Sequence, residues 1–167
     1  MLQENKIKMA MPLKRHTALI PLSQDHHSGL LLVWKIRQGL KAGVDGRRVK
    51  DYIKYFAEQH LEPHFLIEEE LVFSYLGKND SMRMQAEQEH ELLRSQIREI
   101  EEENGESESQ FKKFAETLEA HIRFEERKLF QHMQAELMDK DLAEMEVAVM
   151  KVHGKYQENW DDQFWVK

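Results

Sequence analysis

Hydrophobic residues recur every three or four positions along most of the chain, which is the spacing of one face of an α-helix. No window shows the alternation of apolar and polar residues that a half-buried strand would give. The few glycines and prolines fall mostly where the helical spacing stops, and Pro63 should kink or split the helix that contains it. With Ser23 as the first cap, the pattern predicts helices at about 23–41, 47–76, 82–103, 108–137 and 139–157.

Four long helices joined by short connections predict an all-α protein, an antiparallel up-and-down four-helix bundle. The fifth helix also has an apolar stripe and should pack as an extra C-terminal helix on the bundle or on a partner subunit. We therefore expect three regions. They are a flexible N-terminal segment (1–15), the bundle (16–137), and a C-terminal helix with an aromatic tail packed on the bundle (138–167).

The amino-acid composition limits the partners and the metal ligands that the protein can have. The 167 residues include nine histidines and no cysteine, and the formal net charge is -7. The charge argues against nucleic acid as a partner, because phosphate binding needs a basic surface. Without thiolates, any metal must be bound by imidazole and carboxylate. No segment reaches the ~20 apolar residues of a membrane span, and the basic N-terminal segment lacks the apolar core of a secretory signal. We expect a cytoplasmic protein with no membrane contact.

Histidine and glutamate interrupt the apolar stripes of four predicted helices. Burying unpaired carboxylates costs several kcal/mol each, which is a large part of a net stability of ~5–15 kcal/mol. Lysine and arginine are scarce on these stripes, so a pair of bound cations is the better compensation. Iron, manganese and zinc all accept such ligands. The interior candidates are His26, His60, His64, Glu68, His90, His121 and Glu125.

A repeated unit sharpens this interpretation. His-x-x-x-Glu-Glu occurs at 64–69 and at 121–126, each time with Phe nine residues after the histidine. The four-residue step places histidine and glutamate one turn apart on one face, within reach of one metal centre. A dinuclear site needs a bridging carboxylate from each of two helices. Two assignments stay open: His27 competes with His26, and His60 is either a fifth imidazole ligand or a polar group beside the site.

These residues resemble the hemerythrin-like (HHE cation-binding) domains. The resemblance rests on segments 22–27, 60–69, 89–93 and 121–126 and covers about residues 16–137. It implies a four-helix bundle around two iron ions, a non-haem diiron centre with carboxylate bridges and an oxo or hydroxo bridge. Zinc or manganese on the same ligands is a variant. The ligands implied by the resemblance are His26, His64, Glu68, His90, His121 and Glu125.

The resemblance also implies a small diatomic ligand, O₂ or NO. No general base or substrate clamp stands out, so we expect oxygen, redox or NO sensing, or iron handling, rather than turnover. A lone His90 on the third helix, where oxygen carriers have a His-x-x-x-His pair, argues against simple oxygen transport. Output would pass through the C-terminal helix to a second copy or a partner protein. Glu69 and Glu126 are expected at the surface or beside the site. Surface positions are expected for His16, His132 and His153.

Two other classes compete with this function. A ferritin-like diiron oxidase or oxygenase needs Glu-x-x-His on two helices, and here only Glu87 with His90 fits. A metal-free helical interaction module would keep its fold when the interior histidines are replaced.

Overall fold

The structure is a computed structural model that describes residues 14–102 and 107–166. The predicted N-terminal segment lies almost wholly outside these residues. The described chain is helical and contains no strand, as the all-α prediction required. Its α-helices are α1 (Ile20–Ala42), α2 (Gly46–Phe56), α3 (Glu62–Ile67), α4 (Ser81–Glu101), α5 (Glu108–Phe124), α6 (Phe130–Glu136) and α7 (Asp139–Val152).

Two pairs of these helices form continuous rods that contain π-helical turns. In the 46–75 rod, α2 and α3 are joined by a π turn at Ala57–Leu61, and a second π turn at Glu68–Val72 follows α3. In the 108–136 rod, the turn Glu125–Leu129 joins α5 to α6. Pro63 stands in the first turn of α3. Proline has no N–H and crowds the carbonyl four residues earlier, so the predicted interruption takes the form of a wider π turn before it.

Two helix ends differ from the prediction. Ser23 is not the N-cap, because α1 already begins at Ile20 with Pro21 in its first turn, where a missing N–H is harmless. The Ser23 hydroxyl donates instead to Glu126 Oε1 at 2.7 Å. At the other end of the chain, α7 stops at Val152 rather than at Gln157. Residues 153–166 then run without regular helix, and we call them the C-terminal strap.

Buried apolar residues form two clusters, and every long helix contributes to both. The first cluster includes Val33, Phe65, Leu93 and Leu118. The second includes Leu22, Val72, Ala86 and Leu129. Followed from N- to C-terminus, α1 and α4 run from the second cluster to the first. The 46–75 rod and the 108–136 rod run the other way, from the first cluster to the second. The histidines of the repeated stripes fall between the clusters, so the interior has a polar layer.

The C-terminal region touches both clusters. Leu142, Met145 and Val149 of α7 are buried in the second cluster, while Phe164 of the strap is buried in the first. The strap therefore crosses the level of the polar layer on the outside of the bundle. None of the described helices is long and apolar enough to cross a membrane.

Candidate metal centre

Four histidines and two glutamates meet in the polar layer, and none is more than 4% exposed. Each long helix or rod contributes at least one of them, because each has a polar residue where its stripe passes between the clusters. The two rods contribute a histidine and, four residues later, a glutamate that opens a π turn. The six residues are His26, His64, Glu68, His90, His121 and Glu125.

The imidazole Nε2 atoms point at the two carboxylates. Within each rod, His64 Nε2 lies 3.1 Å from Glu68 Oε1, and His121 Nε2 lies 3.3 Å from Glu125 Oε1. The helical step of four residues gives these contacts directly.

Contacts between helices complete the cluster. His90 Nε2 lies 3.2 Å from Glu68 Oε2, and His26 Nε2 lies 2.9 Å from Glu125 Oε2. Longer contacts join His26 Nε2 to Glu68 Oε1 at 3.5 Å and His90 Nε2 to Glu125 Oε1 at 3.6 Å. Each glutamate thus faces one histidine of its own rod and two from other helices. The donors form two groups of four whose atoms lie within 4.8 Å of one another, and both groups contain Glu68 and Glu125. One group adds His26 and His64, and the other adds His90 and His121.

Although these atoms lie close to one another, several make no hydrogen bond of acceptable geometry within the described residues. They are both carboxylate oxygens of Glu68, both of Glu125, and Nε2 of His26. In addition, His90 Nε2 and His121 Nε2 face each other at 3.1 Å. Buried polar atoms without partners are costly. Here their lone pairs converge, so a bound cation would satisfy them. The nitrogen and oxygen donors fit a first-row transition metal.

An outer ring of carboxylates orients the four imidazoles through their Nδ1 atoms. The distances are 2.7 Å for His26 to Glu126, 3.0 Å for His64 to Asp25, 2.8 Å for His90 to Glu69 and 2.7 Å for His121 to Glu89. A carboxylate on one ring nitrogen places the proton there and leaves the other nitrogen free for a metal. Glu69 and Glu126 therefore lie beside the site, which is one of the two positions expected for them.

Sequence reasoning missed Asp25 and Glu89. A signal for both was present, because each outer carboxylate is the immediate sequence neighbour of a cluster residue. Asp25 precedes His26, and Glu89 precedes His90. Each nevertheless bonds a histidine of a different helix, which is why the pattern of a single helix does not reveal its partner.

Charges in the cluster are shared between imidazoles and carboxylates. Burial alone would lower the pKa of His64, but Glu68 and Asp25 outweigh it and raise that pKa to about 9. Burial would likewise raise the pKa of Glu68, yet contacts with His64, His26 and His90 hold it well below its usual range. In the absence of metal, protonated histidines therefore balance the buried carboxylates. A metal ion has to displace those protons.

The two open assignments take different positions. His27 is exposed, whereas its neighbour His26 lies in the cluster. His60 is buried but belongs to neither group of four. Its Nε2 lies 3.2 Å from the carbonyl oxygen of Asp25, which can only accept, so this nitrogen carries the proton. Burial lowers the pKa of His60, which keeps the ring neutral beside the site.

The three remaining histidines are half-buried, and each has a partner. His16 Nδ1 accepts from the backbone N–H of Ala18 at 3.1 Å. His132 Nε2 lies 2.7 Å from Asp80 Oδ2. His153, the first residue of the strap, contacts Asp25 Oδ2 at 2.9 Å. Its contact joins the strap to the outer ring of carboxylates.

An all-helical fold with a buried cluster of histidines and glutamates defines a class of helical metal-binding proteins. A family model, the hemerythrin HHE cation binding domain, matches residues 21–133. Since the match covers more than half of the chain and includes all six cluster residues, the chain belongs to this family. Searches of the curated proteins and of the solved structures find no significant match.

Proposed function

We propose that the cluster binds two iron ions as a non-haem diiron centre. The proposed ligands are His26, His64, Glu68, His90, His121 and Glu125. The observation that carries the proposal is the sharing of both glutamates by the two groups of four. Each of these carboxylates has two buried oxygens without hydrogen bonds and lies between imidazoles of both groups, which supports a bridging role between two ions. Zinc or manganese on the same donors is the variant of this proposal.

The surroundings favour binding of a small gas. Each group offers four protein donors, fewer than an octahedral ion accepts, so a position would stay open. A buried void of about 10 Å³, lined partly by Gly29, Leu118 and Ile122, adjoins the histidines. That volume holds about one water-sized molecule. When bound, ferrous iron would supply reversible O₂ or NO binding, while the apolar walls exclude bulk water and the outer carboxylates hold the Nδ1 protons.

The bundle topology, the biological role and the partner contact are also part of the proposal. The alternating passage of the four long helices between the two apolar clusters supports an antiparallel up-and-down bundle. We propose a role in oxygen, redox or NO sensing or in iron handling in the cytoplasm. A second copy or a partner protein would contact the C-terminal helix, where Val147 and Met150 are more than half exposed.

The ferritin-like alternative receives no support from the position of Glu87. Its carboxylate pairs with Arg83 at 2.8 Å, its side chain is 38% exposed, and it lies outside both groups of four. A metal-free interaction module would leave unexplained why four buried histidines and two buried glutamates converge in two groups of four.

Elemental analysis of the purified protein tests the proposal. We expect two metal ions per chain in the parent protein and in His132→Ala, which lies outside the cluster, and a loss of metal in His64→Ala and Glu125→Ala. Anaerobic iron loading followed by air should produce near-ultraviolet charge-transfer absorption. Full metal content in both site variants would refute the ligand assignment. Stopped-flow mixing of the ferrous protein with O₂ and NO then tests gas binding, and no reaction with either gas would refute that part.

A further inference from the structure

Most of the oxidisable aromatic residues gather on one side of the bundle. The sequence has four tyrosines and three tryptophans. Five of these seven lie between the metal centre and the surface, and we call them the aromatic chain. Its members are Tyr52, Tyr55, Tyr156, Trp160 and Trp165. Tyr75 and Trp34 lie elsewhere, so the protein contains its own comparison residues.

The aromatic chain starts next to a proposed ligand. The rings of His64 and His60 are nearly parallel, with centroids 6.3 Å apart. The His60 ring in turn contacts Tyr156 of the strap, with centroids 4.5 Å apart. His60 is buried and neutral, and it is the side chain that links the cluster to Tyr156. This contact gives a role to a histidine that ligates no metal in the proposed centre.

From Tyr156 the ring contacts continue outward. Phe56 lies 5.3 Å from Tyr156 and 6.3 Å from Tyr52, between centroids. Tyr52 then contacts Trp160 at 5.5 Å and Trp165 at 5.0 Å. Both tryptophans are partly exposed. A series of close rings thus runs from the metal centre to solvent.

Tyr52 also has an acceptor for its proton. Its hydroxyl donates to Glu158 of the strap. Lys35 Nζ lies 2.7 Å from the Tyr52 oxygen and 2.7 Å from Glu158 Oε1. Lys35 is only 5% exposed. A buried lysine is not needed merely to hold the strap against the bundle, because apolar residues of similar size often stabilise such a contact as well or better. A phenol that loses an electron becomes a strong acid, and here Glu158 can take its proton.

We propose that the aromatic chain conducts electrons, one at a time, from the surface to the metal centre when a peroxide is reduced there. This inference rests on the proposed metal centre. Two tyrosine O–H bonds and the O–O bond of hydrogen peroxide break, and two water molecules and two neutral tyrosyl radicals form. The two electrons of the phenols reach the peroxide, and it takes up from solvent as many protons as the phenols release. At Tyr52 the proton leaves through Glu158. An external one-electron reductant of the ascorbate class, which also supplies a proton, restores each tyrosine.

The first test uses the iron-loaded protein and hydrogen peroxide. Freeze-quench electron paramagnetic resonance should detect a tyrosyl radical, and peptide mapping should find oxidation at Trp160 and Trp165. Tyr156→Phe keeps the ring on His60 but cannot be oxidised, so we expect most of the radical signal to be lost while iron content is unchanged. The matched controls Tyr75→Phe and Trp34→Phe should behave as the parent. An undiminished radical in Tyr156→Phe, or equal oxidation of Trp34, would overturn the inference.

The second test needs no metal. Pulse radiolysis with azide radical oxidises tryptophan, and in the metal-free protein the tryptophan radical should convert to a tyrosine radical within the molecule. The double variant Tyr52→Phe/Tyr55→Phe should lose this conversion, whereas Tyr75→Phe should retain it. Absence of conversion in the parent protein would overturn the inference even if the metal centre exists. Failure to bind iron would instead refute the proposed function, whatever the radiolysis shows.

Discussion

Substitutions on α4 separate a residue that supports the candidate metal centre, Glu89, from a neighbour that does not, Glu87. The Glu89 carboxylate accepts the Nδ1 proton of His121 at 2.7 Å, although its side chain is 25% exposed. In Glu89→Ala, nothing would fix which nitrogen of His121 carries the proton. Loss of such an outer hydrogen bond typically weakens metal affinity by ~10–100-fold. That factor corresponds to about 1.4–2.7 kcal/mol.

Two further variants should show metal affinities that differ from that of Glu89→Ala. Glu89→Gln keeps an acceptor oxygen for His121 but loses the charge, so its affinity should lie between those of the parent and Glu89→Ala. Glu87→Ala removes a carboxylate two residues earlier that pairs with Arg83 at the surface. Its effect should stay within about 0.5 kcal/mol, as for most surface substitutions.

Competition titration against a chromophoric chelator at fixed pH would measure these affinities. Urea unfolding of each metal-free variant would show whether the fold itself had changed. Equal affinities for Glu89→Ala and the parent would refute the role of the outer carboxylates. A loss confined to Glu87→Ala would favour the ferritin-like arrangement, in which Glu87 and His90 ligate together.

Three shorter predictions follow from other contacts. Gly39→Ala would place a Cβ 2.7 Å from the ring of Phe164; displacing that ring should cost about 1–3 kcal/mol in urea unfolding, and an unchanged midpoint would contradict it. Asp80→Ala should cost about 1 kcal/mol in the metal-free protein and Asp80→Asn less, because Asp80 caps α4. Although burial opposes ionisation, bonds from Arg83 N–H and His132 lower the Asp80 pKa. The stabilisation by the Asp80 carboxylate is therefore complete above the pKa of Asp80 in the unfolded protein, and it is lost as pH falls through the lower pKa in the folded protein. The loss of stability in Asp80→Ala, relative to the parent, should become smaller in acid, and a loss that does not change with pH would refute this assignment. Metal at 100 times its Kd should raise the free energy of unfolding by ~2.7 kcal/mol. An unchanged free energy of unfolding after a chelator removes the metal would argue against a metal site that exists only in the folded protein.

Helical periodicity was enough to predict the all-helical fold, because each stripe is long. Helix ends were harder, since short-range capping competes with tertiary contacts. Ser23 has the side chain of an N-cap but lies inside α1 and bonds Glu126. The apolar spacing of α7 continues past Val152, yet the helix stops there. His153 contacts Asp25 instead, and that contact joins residues too distant in sequence for a local pattern to show.

The six cluster residues were predictable because a polar side chain on an apolar stripe has to be compensated inside the protein. The histidine partners of the outer carboxylates were not predictable, since each carboxylate stands next to a stripe residue and about 100° around the helix, where a solvent-exposed position is the ordinary outcome. Asp25 and Glu89 show the limit. Their partners are fixed only when neighbouring helices pack at one register, which a single helix pattern does not contain.

The doubled glutamate of each repeated unit now has a physical explanation. In 64–69 the first glutamate, Glu68, lies in the cluster of histidines and glutamates, and Glu69 bonds Nδ1 of His90 on α4. In 121–126 the second glutamate, Glu126, bonds Nδ1 of His26 on α1. Each unit therefore supplies an imidazole, a shared carboxylate and an orienting contact to the next helix. Together with Asp25 and Glu89, these contacts tie the four long helices into a closed ring, so the register that assembles the site also holds the bundle together at its polar layer.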